Sequence, residues 1–227
     1  MSEHAPSARP TITLKLATSL DGRIALASGE SKWITGEAAR AEVHRLRAAH
    51  DAVIVGSETV IADDPELTAR LDPMPERQPL RVVADSRGRI PAGAKLFSTL
   101  EMGPVAIATL ETTDLDARWP STRGLQFWML PAAEGSSSIS LHAMMESATR
   151  AGVSSMMIEG GGQLAAAFIR AGLVDRLEWF RAPILLGGDG RACLGDLGLD
   201  VLASAPAFTR TGVWEIGPDI WESYVRR

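Results

Sequence analysis

The chain has 227 residues, 45% of them hydrophobic, and a formal net charge of −5, which allows one large domain or two small ones with a substantial core. No basic footprint is present, which argues against nucleic acid as the main partner. No apolar run approaches the roughly 18 residues of a membrane span. The single cysteine, Cys193, rules out an internal disulfide and a multi-cysteine zinc site and fits a reducing, cytoplasmic compartment.

Residues 1–10 are polar and lack an apolar signal core, so they read as a disordered tail and not as a secretory signal. Residues 11–18 alternate, with Ile12, Leu14 and Leu16 on one side and Thr13, Lys15 and Ala17 on the other, the period of a β-strand. The turn signal Ser19-Leu20-Asp21-Gly22 ends it, and a polar loop runs through Gly29 to Trp33. Thr35 is placed to cap a helix over residues 36–49, with Ala39, Val43 and Leu46 as its apolar stripe. Residues 51–56 form a short continuous apolar run, the mark of a strand buried on both faces.

Residues 58–70 read as a short helical turn followed by a loop pinned by Pro65. Residues 71–79 carry three prolines and form a surface connector. Further strands fall at 80–85, 105–108 and 127–130, and residues 135–138 make a flexible link before a helix over 141–151. Next come the strand Met156-Met157-Ile158, the carboxylate Glu159, the turn Gly160-Gly161-Gly162 and a second helix. The chain ends with a strand near 177–183, a glycine-rich loop at 187–190 and two strands at 208–213 and 220–225. Alternating strands and helices followed by a β-rich end predict an α/β fold with a mixed, mostly parallel sheet flanked by helices. No boundary divides it convincingly, so residues 11–227 are expected to form a single domain.

The triple-glycine segment carries the strongest chemical signal. Glycines allow close backbone approach, and a helix start offers free N–H groups to a phosphate. Ligands of open α/β sheets lie at the carboxyl ends of strands. Gly160-x-Gly162-x-x-Ala165 also matches the dinucleotide fingerprint, but it begins at residue 160, and no acidic residue closes the next strand. A dinucleotide would therefore bind on a different fold. Lys15 inside a strand covered on both faces requires an anionic or polar partner. Arg87 and Arg89, with Ser86, follow a strand and suit the 2′-phosphate of NADP. The histidines form no constellation, and neither H-x-E nor P-C-x-x-C occurs, so no zinc deaminase motif is present; no metal site is expected.

Five segments occur in order: residues 15–23 (KLATSLDGR), 29–36 (GESKWITG), 46–48 (LRA), 63–70 (DDPELTAR) and 159–162 (EGGG). Together they resemble the pyrimidine reductase of bacterial riboflavin biosynthesis, over about residues 11–225. The resemblance implies a dihydrofolate-reductase-like fold and NADPH as cofactor. The implied reaction is reduction of 5-amino-6-(5-phosphoribosylamino)uracil to its ribitylamino product, with hydride delivered to C1′ of the ring-opened ribose. By motif position it places cofactor contacts at Ala17, Trp33, Thr59, Asp63, Ser86, Gly161, Gly162, Gln163, Leu164, Ala165, Ala166 and Ala167. Substrate contacts fall at Ser31, Arg47, Leu67, Arg70 and Glu159. Lys15, Asp63 and Glu159 are the candidate catalytic groups, Lys15 as proton donor.

The deaminase half usual in the family is missing from this chain, which leaves open another pyrimidine or a pterin such as dihydrofolate as substrate. Also open is a non-catalytic nucleotide-binding subunit serving a separate deaminase. A homodimer is implied by the resemblance, with an exposed apolar strand at 220–225 as a docking edge.

Overall fold

A computed structural model describes residues 9–115, 119 and 124–227. Most of the predicted tail, residues 1–8, lies outside the described residues. The chain groups into two compact units. One comprises the described residues up to Thr11 together with those of Arg47–Met157; the other comprises Ile12–Leu46 and Ile158–Arg227.

In the first unit the strands lie in the order β7 (Ser155–Ile158), β3 (Ala52–Gly56), β4 (Leu80–Ala84), β5 (Val105–Leu110) and β6 (Leu125–Leu130). The β3–β4, β4–β5 and β5–β6 pairs are parallel. Their apolar runs have the expected cause: Val53, Ile54, Val55, Val82, Val83 and Ile107 are all 0% exposed. Each such side chain contributes roughly 1.5–3 kcal/mol by leaving water. Helices α2 (Ser57–Asp63), α3 (Lys95–Ser98) and α4 (Leu141–Arg150) accompany these strands. Sequence periodicity did not mark α3, which is only four residues long.

A carboxylate ties β3 to the start of β7. Asp51 Oδ2 accepts from Ser154 N (3.0 Å), Ser154 Oγ (2.5 Å), Ser155 N (3.0 Å) and Ser155 Oγ (3.1 Å). Burial pushes this carboxyl up, but the serine donors outweigh it and hold the group below its ordinary value. The folded value lies below the unfolded one, so the stabilisation is complete above the unfolded value near ~4 and is lost as pH falls through the folded value. Asp51→Ala is expected to cost about 1.5–3 kcal/mol in urea unfolding at pH 7. The deficit should shrink as pH is lowered below ~4; a deficit that stayed constant with pH would show that the carboxylate charge contributes nothing.

In the second unit the order is β10 (Phe208–Ile216), β11 (Asp219–Arg226), β8 (Arg176–Arg181) and β1 (Thr11–Thr18). β1 and β8 are parallel, while β8–β11 and β11–β10 are antiparallel. The expected exposed edge at 220–225 is therefore corrected: β11 is paired on both sides, and the strand before it, β10, is the edge. The predicted strand at 208–213 extends three residues further, and this lengthening adds Trp214, 45% exposed, beside Val213, 48% exposed, on that edge. The polar loop after the first turn also contains a short strand, β2 (Arg23–Ala25), paired with β9 (Arg191–Ala192). That pairing joins residues far apart in sequence and leaves no local period.

Helix α1 (Glu37–Ala49) follows the predicted span, but the acceptor at its start is not local. Asp219, 2% exposed, accepts from Gly36 N at 2.6 Å, while Thr35 gives its carbonyl to Arg40 Nη1 at 2.7 Å. The aspartate in the tight β10–β11 turn thus does work that the sequence assigned to Thr35. Helix α5 (Gly162–Arg170) starts at the last residue of the triple glycine and is capped by no side chain.

Candidate active site

Lys15 lies in the middle of β1, half-buried, with Nζ 3.5 Å from Glu159 Oε2; the two side chains are 13% and 4% exposed. An ammonium so far from water requires a counter-charge, and the carboxylate at the end of β7 supplies it. A second carboxylate is close by register, since Glu178 of β8 is the cross-strand partner of Lys15. Glu178 Oε2 accepts from Trp221 Nε1 at 2.7 Å and from Ser223 Oγ. Sequence reasoning passed over Glu178. The available signal was its place in the Arg-Leu-Glu-Trp-Phe-Arg run, a carboxylate between apolar residues of a strand.

Ala17 lies two positions beyond Lys15 on the same side of β1. Trp33 is 68% exposed, and the Arg40 guanidinium sits 4.6 Å from its ring centroid. Ser31 is half-buried in the same loop. Gly161 adopts φ 66, a backbone conformation that favours glycine. Gly162 is needed for packing, because a Cβ there would meet Ala192 O at 2.9 Å and Gly195 N at 3.2 Å. With no side-chain cap, the first-turn N–H groups of α5, from Gly162 through Leu164, suit the oxygens of a pyrophosphate. Ala165 and Ala166 are buried, and Ala167 is half-buried. Their small side chains let the helix sit close to its neighbours.

The turn before β2 is held by Asp21. Its carboxyl is drawn down to about 2, chiefly by the Ser19 hydroxyl at 2.5 Å, then by the backbone N–H groups of Leu186 and Gly187. The glycine-rich loop is thereby tied to the segment that follows β1.

The other predicted residues belong to the first unit. Thr59 is half-buried on α2, and Asp63, the last residue of that helix, is exposed. Asp64 closes α2 in the left-handed region at φ 43. Its Oδ1 accepts from Lys95 N at 2.8 Å and so caps α3. Arg47 Nη1 donates to Thr68 O at 3.0 Å, so this residue reaches the loop and is more than part of a solvated charged face. Leu67 is 2% exposed with φ 59. Arg70 is exposed and contacts Glu66 Oε2 at 3.2 Å and Thr68 Oγ1 at 3.4 Å.

After β4, Ser86 Oγ accepts from Ile139 N at 3.1 Å. Arg89 is committed to Glu58 and to Ser57 Oγ. Arg87 is exposed and is the arginine of this turn best placed to meet a ligand anion. Among the described residues no cluster of three or more His, Cys, Asp or Glu could hold a metal. Among the described residues no helix is long and apolar enough to cross a membrane.

Comparison with known proteins gives a consistent match. A family model described as RibD C-terminal domain matches residues 10–221. The riboflavin biosynthesis protein RibD of Escherichia coli (strain K12) is 38% identical over 222 residues, covering 93% of this chain and 58% of that protein. The solved structure of Acinetobacter baumannii RibD, form 1, superposes with a TM-score of 0.82 at 33% identity, covering 96% of this chain and 58% of that one. A Thermotoga maritima structure described as a diaminohydroxyphosphoribosylaminopyrimidine deaminase/5-amino-6-(5-phosphoribosylamino)uracil reductase gives 0.79 at 26% identity, covering 96% and 57%. The chain thus spans less than two thirds of the length of these relatives. The fold is the dihydrofolate-reductase-like one that the motifs implied, mixed and mostly parallel with flanking helices.

Proposed function

This chain belongs to the RibD C-terminal domain family, and from that premise we propose that it is a cytoplasmic pyrimidine reductase of riboflavin biosynthesis. It reduces 5-amino-6-(5-phosphoribosylamino)uracil with NADPH, residues 11–227 acting as one domain and as a homodimer. The observation that carries the reading is the Lys15–Glu159 ion pair at the end of β7, beside an uncapped helix start that suits a dinucleotide phosphate.

Bound NADPH would supply the hydride accepted by C1′ of the ring-opened ribose. Lys15 Nζ would donate the proton that the imine nitrogen takes up as C1′ accepts the hydride, and Glu159 holds that ammonium in place and takes a substrate hydroxyl. Arg47 and Arg70, with the Ser31 hydroxyl, hold the 5-phosphate; a fork of charged donors suits that group. Leu67 is the remaining substrate contact by motif position, in the loop it shares with Arg70. The α5 start from Gly161 to Ala167 takes the cofactor pyrophosphate, and Ala17, Trp33, Thr59, Asp63 and Ser86 line the remainder of the cofactor. The protein's share of the chemistry is orientation and proton supply.

The test is loss of NADPH absorbance with purified protein and three substrates in parallel: the phosphoribosylaminouracil, its dephosphorylated nucleoside and dihydrofolate. Turnover with the phosphorylated uracil supports the proposal. Turnover with dihydrofolate alone, or NADPH binding without turnover of any of the three, overturns it.

The cofactor's phosphate supplies a further expectation. Arg87→Ala should raise the KM for NADPH about tenfold, the size of a lost charge-assisted contact, and leave NADH unaffected. An equal change for both nucleotides would remove Arg87 from the 2′-phosphate.

A further inference from the structure

Leu67 and Arg70 sit between α2 and β4 in a segment with no helix or strand of its own, yet the side chains of Arg81, Arg47 and Gln78 hold its backbone at Glu66, Thr68 and Ala69. Arg81 lies in the middle of β4, inside an otherwise apolar run, and is 0% exposed. It makes no ion pair with any described carboxylate. Its Nη1 donates to Glu66 O at 3.0 Å and to Thr99 Oγ1 at 2.7 Å, and its Nη2 to Thr99 O at 2.8 Å and Gly103 O at 2.5 Å. Nε is buried without a partner. A buried guanidinium spent on three backbone carbonyls and a hydroxyl is costly, and hydrophobic residues fill the neighbouring positions of the strand at no such cost.

The loop is held from other directions as well. Gln78 brackets Ala69, its Oε1 accepting from Ala69 N at 2.7 Å and its Nε2 donating to Ala69 O at 2.8 Å. Arg47 holds Thr68 O. Asp64 caps α3 at Lys95, and Thr99, just past the other end of α3, is the residue that Arg81 grips. Between these anchors Leu67 is kept at φ 59, a left-handed conformation that costs a branched residue roughly 1–2 kcal/mol. Such strain persists only where the surroundings over-determine it. Glu66, Leu67, Thr68 and Ala69 therefore have one backbone geometry, fixed from below by Arg81 and from the side by Gln78.

We infer that Arg81 and Gln78 are positioning residues for substrate: they preset the loop so that Leu67 and Arg70 meet the phosphorylated ligand already in place. Neither residue has a role in the family resemblance. The inference rests on the reading of Leu67 and Arg70 as substrate contacts. Its energetic basis is preorganisation, since a loop ordered beforehand spends none of its binding energy on ordering.

The test uses the full chain and the variants Arg81→Lys, Arg81→Met, Gln78→Met and Gln78→Glu. Measured for each are kcat and KM for the phosphoribosylaminouracil, the KM for NADPH, and hydrogen exchange at the Leu67 and Ala69 amides. Gln78→Met is half-buried and loses only the Ala69 bracket, so it keeps the test open if Arg81→Met fails to fold. The expected result is a rise in substrate KM of roughly tenfold, the size of a lost pair of hydrogen bonds. NADPH KM and kcat should stay within about twofold, and exchange at Ala69 should speed up. Arg81→Lys should recover part of the loss, since one ammonium reaches fewer of the acceptors.

Folded variants with wild-type substrate KM overturn the positioning role and leave the reductase reading intact. Equal rises in the KM for substrate and NADPH reduce both residues to general stability and also overturn it. A wild type that turns over no phosphorylated uracil overturns both readings.

Discussion

Lys15→Met is expected to lower kcat by roughly 10²- to 10⁴-fold, the usual contribution of a positioned proton donor, with the KM for NADPH nearly unchanged. Methionine preserves the bulk of the lysine stem and removes only the ammonium. The change also takes from Glu159, whose side chain is 4% exposed, the counter-charge 3.5 Å away. Part of any loss could therefore reflect a destabilised carboxylate. Lys15→Met/Glu159→Gln separates the two effects: the double variant should regain melting temperature without regaining turnover. If it regains turnover, Lys15 serves to balance charge and another group delivers the proton. An equal fall in kcat and in NADPH affinity would likewise remove Lys15 from the chemistry.

The second large effect concerns the phosphate. Arg70→Met should raise the KM for the phosphorylated uracil by roughly 10- to 150-fold, equivalent to about 1.5–3 kcal/mol for charge-assisted hydrogen bonds. Turnover of the dephosphorylated nucleoside, already poor, should not change. Arg70 is suited to this role because it is exposed yet oriented by Glu66 and Thr68. Arg47→Met should cost at least as much, since Arg47 also holds the Thr68 carbonyl and its removal frees the loop. Raising ionic strength should weaken phosphate binding in the wild type more than in either variant. Identical losses on the phosphorylated and dephosphorylated substrates would show that the arginines support the fold and do not touch phosphate.

Much of the fold was legible in the sequence, and the reasons are local. The alternation in β1 and the largely apolar runs of β3, β4 and β5 follow from which faces are buried. The triple glycine marked the strand-to-helix junction before α5. What escaped depends on contacts between distant segments. The β2–β9 pair, the Asp219 acceptor at the start of α1 and the Glu178 neighbour of Lys15 have no short-range period, because each partner lies more than 150 residues away.

The edge of the second unit was assigned one strand too late, since sequence alone does not say which of two consecutive strands pairs inward. Arg81 is the instructive omission. A lone arginine in the run Leu-Arg-Val-Val-Ala invites the question asked of Lys15 in β1: what partner pays for its charge? The answer lies in the carbonyls of Glu66, Thr99 and Gly103, two of them 18 and 22 positions along the chain. The five motifs indicated which loops matter; the structure adds what holds one of them still.

The central claim is hydride transfer from NADPH to the phosphorylated uracil, and the most direct measurement follows that hydrogen. NADPH carrying deuterium at the transferable position would be incubated with the protein and the phosphoribosylaminouracil, and the product analysed by mass spectrometry. The account predicts a ribitylamino product carrying one deuterium at C1′, formed in step with NADPH consumption and reduced to background by Lys15→Met. Recovery of unlabelled starting material after prolonged incubation, or deuterium placed anywhere other than C1′, would contradict it.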